Sequence, residues 1–271
     1  MKRTCYLLIL ILIKFTHLFS QGVYFKASSN YNISISKQQM PEYFTFQIYV
    51  PYGASISGDV NLSVEEFSIA SGLNLQGAAG YSFKDFISFE LKFSTFSNSE
   101  KKFKASKEHV FAFSGETEWN LCGYSLLPTV LFGQTFNKST VNIFVYSGFG
   151  LSKLNIKALL NEDFREYKFD RSYTFSWGYG LEYSYSISKN FSLFTNIGIN
   201  NTSYTPRKAK LTSSSYSMEY LTTSQKEIEY LDEINNLELG YNSNSPEIRL
   251  RETLKLNSFY WGIGIKYTLI K

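Results

Sequence analysis

Residues 259–269 have the sequence FYWGIGIKYTL, in which large apolar residues alternate with small or polar ones. One face of this segment, if extended, carries Phe259, Trp261, Ile263, Ile265, Tyr267 and Leu269. The other carries Gly262, Gly264, Lys266 and Thr268. Because successive side chains of a strand point to opposite sides, the pattern predicts a strand with one strongly apolar face.

Two further segments alternate in the same way. Residues 87–94 place four large apolar side chains opposite Ser88, Glu90, Lys92 and Ser94. Residues 175–185 have aromatic residues or leucine at the odd positions and serine, glycine or glutamate at the even positions. A soluble barrel hides its large apolar residues inside, whereas a membrane barrel turns them towards lipid. Small and charged residues on the second face therefore favour a membrane barrel.

The chain divides into eight such segments, separated by polar connections of alternating length. The predicted strands are residues 22–31, 67–83, 87–96, 119–135, 141–154, 173–186, 191–204 and 254–269. Tight turns follow the second, fourth and sixth strands, and long segments follow the others. Short periplasmic turns alternating with long outer loops are typical of bacterial outer-membrane barrels. We therefore predict an all-β fold: a closed antiparallel transmembrane β-barrel of about eight strands.

Two features of the sequence concern the number of strands and their regularity. Residues 43–50 and 59–64 also alternate, so they form either a hairpin above the membrane or two more strands of a ten-stranded barrel. Pro128 lies inside the fourth strand and cannot donate a hydrogen bond to a neighbour, which predicts a bulge or a local break there.

Residues 1–20 are predicted to be a signal peptide, with Lys2 and Arg3 before a short apolar core and Ser20 before the cleavage point. Removal of residues 1–20 takes away Lys2, Arg3 and Lys14. It leaves 24 basic and 23 acidic residues, a net charge of +1. That balance gives no sign of nucleic-acid binding. The expected mature domain is the barrel of residues 21–271, located in the bacterial outer membrane and in contact with its lipids.

The alternation assigns five charged residues to the lumen: Lys26, Glu90, Lys92, Glu182 and Lys266. Charges in a narrow interior must be paired or solvated. We predict that they form a structural ion-pair network in which Glu182 and Lys266 each find a partner within the set. A gated path for ions is the alternative, although the interior of an eight-stranded barrel is just filled by side chains.

The long connections carry two groups of charge. Lys101, Lys102, Lys104 and Lys107 form a basic cluster between the third and fourth strands. Before the last strand, a helix is predicted from Ser224 to Gly240, because Ser224 and Glu227 fit a capping box and Ile228, Leu231 and Ile234 recur on one face. This acidic segment carries Glu227, Glu229, Asp232, Glu233 and Glu238 against Lys226. Both groups are interpreted as solvated loop faces. Alternatively they dock together as a lid, or the lysines meet lipopolysaccharide phosphates.

Candidates for catalysis or metal binding are few. His109 is the single histidine of residues 21–271 and lies in a loop beside Glu108, whose side chain would point to the opposite face of a strand. Cys122 is the single cysteine of that range, so no internal disulfide and no structural zinc site can form within it. No calcium-loop spacing and no phosphate-binding glycine loop occur, so no cofactor is predicted.

Several segments resemble the outer-membrane β-barrel domain family that includes PorT-like and small OmpA-like barrels of Bacteroidetes. The segments are SGLNL at 71–75 with YSFKDFISFEL at 81–91, YSLLPTVLF at 124–132, VYSGFG at 145–150 and WGYGLE at 177–182. The family has no agreed biochemical activity, so the resemblance implies fold and location rather than function.

Three functional hypotheses follow. The first is a non-enzymatic barrel with a structural or interaction role, whose outer loops meet envelope proteins or lipids. The second is a barrel enzyme acting on lipid or peptide substrates, which needs a cluster of catalytic side chains at the outer rim. The third is a small channel, which needs a continuous wet lumen.

Overall fold

The computed structural model describes residues 22–35, 69–84, 86–98, 101–107, 113–160, 163–233, 243–251 and 253–269. Almost all of them belong to one sheet, in which all pairs of strands but one are antiparallel. Its strands are β1 (Val23–Ser34), β2 (Gly72–Lys84), β3 (Ile87–Asn98), β4 (Lys101–Lys107), β5 (Phe113–Phe136), β6 (Ser139–Leu160), β7 (Asp163–Phe169), β8 (Ser172–Ser186), β9 (Phe191–Tyr204), β10 (Lys208–Ser214), β11 (Glu227–Leu231), β12 (Glu247–Leu250), β13 (Leu254–Lys255) and β14 (Ser258–Thr268).

Eight of these strands close into a barrel. The order around the ring is β14, β1, β2, β3, β5, β6, β8 and β9, and β14 pairs with both β1 and β9. Every neighbouring pair is antiparallel. The prediction of a closed eight-stranded barrel is confirmed. Residues 43–50 and 59–64 lie outside the described residues, but the direct pairing of β1 with β2 leaves no place between these strands, so the ten-stranded alternative is wrong.

The connections alternate in length as predicted. Short connections join Lys84 to Ile87, Phe136 to Ser139 and Ser186 to Phe191 at one end of the barrel, which we call the turn end. The ends of the described chain, at β1 and β14, lie there too. In the turn between β5 and β6, Asn137 has a φ of 55°, a left-handed conformation that asparagine tolerates better than most residues. The long connections all leave from the opposite end, the loop end.

Pro128 interrupts one ladder without shifting its register. The pairing of β5 with β6 passes from Leu126–Phe149 directly to Thr129–Tyr146. On its other side Pro128 stays opposite Leu91 of β3. The predicted local break is therefore present, but no residue is inserted. The missing N–H of proline removes a bond and leaves the alternation of faces intact.

The outward face of the barrel is apolar. Along β8 the outward residues are 44% to 71% exposed and are Tyr173, Phe175, Trp177, Tyr179, Leu181, Tyr183 and Tyr185. At about 3.3 Å per residue and a tilt of about 40°, these 13 residues span roughly 30 Å along the barrel axis. Outward residues on β3, β9 and β14 are similar in character. We call this surface the apolar belt.

Inward glycines make room for aromatic rings. Five inward aromatic residues each lie against the glycine directly opposite on a neighbouring strand. The pairs are Tyr24 with Gly80, Phe144 with Gly180, Tyr146 with Gly178, Phe194 with Gly264 and Tyr260 with Gly198. A Cβ atom at any of these glycines would overlap the opposing ring. The narrow lumen can therefore hold large rings because the facing wall has no side chain at those points.

Two barrel strands continue far beyond the loop end. β5 has 24 residues and β6 has 22, and their outer parts pair with strands that do not belong to the ring. The resulting sheet has the order β4, β5, β6, β7, β10, β11 and β12. We call it the rim sheet. Only β11 and β12 are parallel in it.

The helix predicted from Ser224 to Gly240 is present only over its first three residues and is wrong from Glu227 to Leu231. The helix α1 covers Thr223–Lys226 only, and its capping box is formed by Thr222 and Gln225. Glu227–Leu231 is strand β11, and residues 234–240 lie outside the described residues. This segment also alternates with period two, burying Ile228 and Tyr230. The open edge of β10 offers it backbone partners, and this long-range pairing outweighs the local helical spacing. The described helix is too short and too polar to cross a membrane.

Gly80 and Gly77 on β2 provide a matched test of the lumen packing. The three atoms nearest a Cβ added at Gly80 all belong to the Tyr24 side chain, whereas none lies within 4 Å of one added at the outward Gly77. We expect Gly80→Ala to lower the free energy of unfolding by about 1–3 kcal/mol and Gly77→Ala to change it by less than about 0.5 kcal/mol. Urea titration of the folded chain in lipid vesicles measures both. Equal effects would contradict this packing.

Candidate functional site

A cluster of buried charges crosses the lumen near the turn end. The Lys26 amine contacts both Oε atoms of Glu182, at 2.7 and 2.8 Å, and it also forms an ion pair with Glu90. The side chains of Lys26 and Glu182 are 4% and 2% exposed. Glu90 is on β3 and Glu182 is on β8, so Lys26 links two walls of the barrel that are distant around the ring.

The other two predicted lumen residues border this cluster. The Lys92 amine lies 3.6 Å from Oε2 of Glu90 and 4.4 Å from the centre of the Phe144 ring. The half-buried Lys266 lies opposite Lys26 in the ladder, with its amine 4.0 Å from the centre of the Tyr24 ring. All five residues therefore point inward. The partner of Glu182 is Lys26.

Sequence reasoning missed two neutral members of this cluster. The Tyr24 hydroxyl donates to Oε1 of Glu90 at 2.9 Å, and the Asn142 amide donates to Oε1 of Glu182 at 3.1 Å. Both residues lie at inward positions of the alternation, which was the available signal. The alternation gives the face of a residue but not its height along the tilted strands, so it could not show which inward residues meet.

An aromatic and aliphatic layer lies beside the charges. It consists of Leu127, Leu131, Phe144, Tyr146 and Tyr260, all less than 9% exposed. Rings on this layer take the space that the inward glycines leave. The turn-side half of the lumen is thus filled by side chains from the charged cluster and this layer, as expected for a barrel of eight strands.

Above this layer lies an uncharged polar cavity. About 50 Å³ of it can be reached by the centres of water molecules, which is room for a few waters. Its polar lining consists of Asn32, Asn74, Gln76, Ser94, Ser125, Ser152, Thr174, Ser176, Asn200 and Thr202. The Asn32 Oδ1 atom is buried and has no hydrogen-bond partner within the described structure. Amide and hydroxyl groups of this kind are well suited to hold buried water.

A hydrophobic core covers the lumen at the loop end. Trp119 and Leu121 of β5 pack with Leu154 and Ile156 of β6, and each is at most 1% exposed. The same cluster includes Ile69, Ala70, Ala158, Tyr167, Phe169, Tyr204, Ala209, Leu211, Ile228, Tyr230, Leu254 and Leu256. The inner face of the rim sheet thus forms an apolar core of the kind found in soluble proteins.

The two faces of β5 and β6 exchange their character along each strand. Within the barrel, the outward face of β6 carries apolar residues such as Val145 and Phe149, and the inward face mixes polar and aromatic residues such as Asn142 and Phe144. Beyond residue 152 the outward face carries Lys153 and Lys157, and the inward positions are apolar. On β5 the outward sequence changes in the same way from Leu126 and Tyr124 to Asn120 and Glu118. The surroundings of the molecule therefore change from apolar to aqueous at this level.

The two charged groups lie on different strands of the rim sheet. The basic cluster lies on β4, where Lys102 is opposite Glu118 and Lys104 is opposite Glu116 in the backbone ladder. The acidic segment lies on β11, where Glu229 and Glu227 pair with Lys208 and Lys210 at 3.0 and 2.9 Å. Four strands separate β4 from β11 in the rim sheet. Glu227 and Glu229 are thus neutralised by lysines of the neighbouring strand and not by the basic cluster.

Two candidate features remain outside this geometry. His109 and Glu108 lie outside the described residues, as does the predicted signal peptide of residues 1–20. Within the described ranges, no group of three or more His, Cys, Asp or Glu residues is arranged to hold a metal ion. Cys122 is a free thiol on the exposed outward face.

Comparisons with known proteins return barrels of the outer membrane. Neisserial surface protein A is 12% identical, with a TM-score of 0.34 over 90% of this chain and 96% of its own. Ail, the attachment invasion locus protein of Yersinia pestis, is 12% identical, with a TM-score of 0.32 over 92% and 97%. The outer membrane protease OmpT of Escherichia coli is 8% identical, with a TM-score of 0.39 over 92% and 96%. At these identities and scores the likeness carries no information about function.

No protein-family model matches the sequence, and no curated protein matches it. The resemblance to PorT-like proteins is therefore not confirmed and stays a prediction.

Arginine substitutions within the apolar belt and beyond its border test where the membrane lies. Ile263 is 62% exposed near the middle of the apolar belt, and Asn120 is exposed beyond it. We expect Ile263→Arg to cost about 2–4 kcal/mol of unfolding free energy in vesicles, because the charge enters hydrocarbon. Asn120→Arg should change it by less than about 1 kcal/mol. Equal costs measured by urea titration would mean that the belt does not face lipid.

A double-mutant cycle tests the ion pair between Lys26 and Glu182. Lys26→Met leaves the buried Glu182 carboxylate without its cation, and we expect it to cost about 3–5 kcal/mol. Glu182→Gln should cost less, because Lys26 keeps its ion pair with Glu90. The double variant should cost less than the sum of the two, since Glu90 keeps Lys92 as a neighbour. Additive losses in the unfolding free energy would show that the two residues are not coupled.

Proposed function

We propose that this chain is a non-enzymatic barrel of the bacterial outer membrane that presents the rim sheet outside the cell as an interaction surface. One observation carries the proposal. The outward face of β5 and β6 changes from apolar to polar and charged, while the inner face changes from a mixture of polar residues, glycines and apolar residues to apolar residues alone. The change on the outward face suits a chain that crosses lipid in one part and folds in water in the next.

The filled lumen argues against the channel alternative. Ion conduction needs a continuous aqueous path. In the described residues, the ion pairs of Lys26 span the lumen, rings fill the space beside them, and a hydrophobic core covers the loop end. The polar cavity between these layers has room for a few waters.

The rim sheet supports an interaction role. A loop that only connects two strands needs no hydrophobic core of its own, because short connections are sufficient at the turn end. Here the long connections contribute β4, β7, β10, β11 and β12 to one sheet. Its outer face carries ion pairs such as Glu118–Lys157 and Glu166–Lys168. A rigid polar surface of this kind can bind a partner at a low cost in conformational entropy.

The enzymatic alternative requires a catalytic group that the proposal does not use. The sequence offers His109 as the candidate for this catalytic group. An activity on lipid or peptide substrates that is lost in His109→Ala would replace the proposal with that alternative.

Cysteine labelling in intact cells tests the proposed location and orientation. In a Cys122→Ser background, we expect Lys210→Cys on the rim sheet to react with a membrane-impermeant maleimide in intact cells. Lys138→Cys, in the turn between β5 and β6, should react only after lysis. The same purified protein should give no conductance steps in planar bilayers. Labelling of both positions in intact cells, or recovery of the chain as a soluble protein, would contradict the proposal.

A further inference from the structure

Two cations lie side by side immediately beyond the apolar belt. Ser152 of β6 pairs with Ser172 of β8 at the end of their ladder. Lys153 follows the first of these residues and Arg171 precedes the second. The neighbouring outward positions are Leu151 and Tyr173, the last belt residues of the two strands. Lys153 continues the outward alternation of β6 at the border of the belt, and Arg171, in the connection between β7 and β8, is exposed at the same level.

These two cations differ from the other charges on the outer face of the rim sheet. Lys168, Lys208 and Lys210 form ion pairs with Glu166, Glu229 and Glu227 respectively. In the described part of the chain, neither Lys153 nor Arg171 has a carboxylate within ion-pair distance. Arg171 is exposed and Lys153 is half-buried. Asp170, which also lies in the connection between β7 and β8, is exposed and takes part in no ion pair within the described residues.

We propose that Lys153 and Arg171 form a binding site for phosphate groups of lipids in the outer leaflet. The inference rests on the proposed function, since it requires that the apolar belt lies in a membrane. A lipid whose chains contact Leu151 and Tyr173 would carry its headgroup at the level of the two cations. Guanidinium and ammonium groups bind phosphate oxygens through charge-assisted hydrogen bonds. The lipid phosphate would neutralise the two cations, which no carboxylate of the described residues does.

The position next to the belt matters because attraction between exposed charges is short-ranged. It is screened within about 8–10 Å at physiological salt. Lys168 and Lys210 are directly opposite each other in the ladder between β7 and β10 and face outward as well. They lie one outward position farther from the belt than Lys153, since Lys168 pairs with Asn155. They therefore provide a matched pair of cations that is farther from lipid and already neutralised.

The test uses the full chain folded in neutral detergent micelles and titrated with bisphosphorylated lipid A. A cation near an anionic membrane surface contributes about five-fold to binding, so we expect Lys153→Gln/Arg171→Gln to weaken the apparent affinity by about 25-fold. The control Lys168→Gln/Lys210→Gln removes the same charge and should weaken it less than about three-fold. Lipid A without phosphates should bind equally to wild type and both variants, and high salt should remove the difference between the variants.

The outcomes separate this proposal from the proposed function. Equal affinity of wild type and Lys153→Gln/Arg171→Gln for bisphosphorylated lipid A would overturn the phosphate site. An equal loss in the control variant would also overturn it, because the effect would then be one of net charge. Insertion of the wild-type chain into vesicles of phosphatidylcholine alone needs neither cation. Failure to insert would overturn the proposed function, and the phosphate site with it.

Discussion

The backbone hydrogen bonds of the apolar belt are the constraint on which the rest of the structure depends. Hydrocarbon offers no partner to a strand N–H or C=O, so each one needs a partner within the protein. A sheet with two free edges cannot meet this condition, whereas a ring can. The pairing of β14 with β1 closes the ring between the two ends of the chain. The local break beside Pro128 is tolerated because only one strand interface is affected.

Closure with eight strands decides what the interior can contain. The ring is narrow, so inward side chains from distant strands must share the same space. Glycines opposite the aromatic rings relieve the crowding, and opposite charges meet across the lumen near the turn end. Lys26 contacts two glutamates, which compensates for part of the desolvation of these three ions. The same crowding fills the turn-side half of the lumen and leaves only a small polar cavity above it.

The rim sheet follows from a different requirement. Once β5 and β6 leave the belt, their former lipid-facing side meets water and must be polar, and their inner side needs an apolar partner. The additional strands from the long connections provide that partner, and the hydrophobic core forms around Trp119 and Leu154. The border between the two environments is marked by the residues at which the faces exchange their character. Lys153 and Arg171 lie at this border, which gives them their proposed role.

The sequence by itself determined the barrel, its eight strands and the face on which each residue lies. These features depend on a period of two and on the spacing of turns, both of which are local. The inward direction of Glu90 and Glu182 could be predicted in this way, but their contact with Lys26 could not. Lys26 and Glu182 are 156 residues apart in sequence, and their meeting depends on the tilt and stagger of the closed ring. The segment at Glu227–Leu231 was consistent with both helix and strand, and the open edge of β10 decided between them. Only the tertiary structure fixes such pairings, because they depend on partners that local periodicity does not specify.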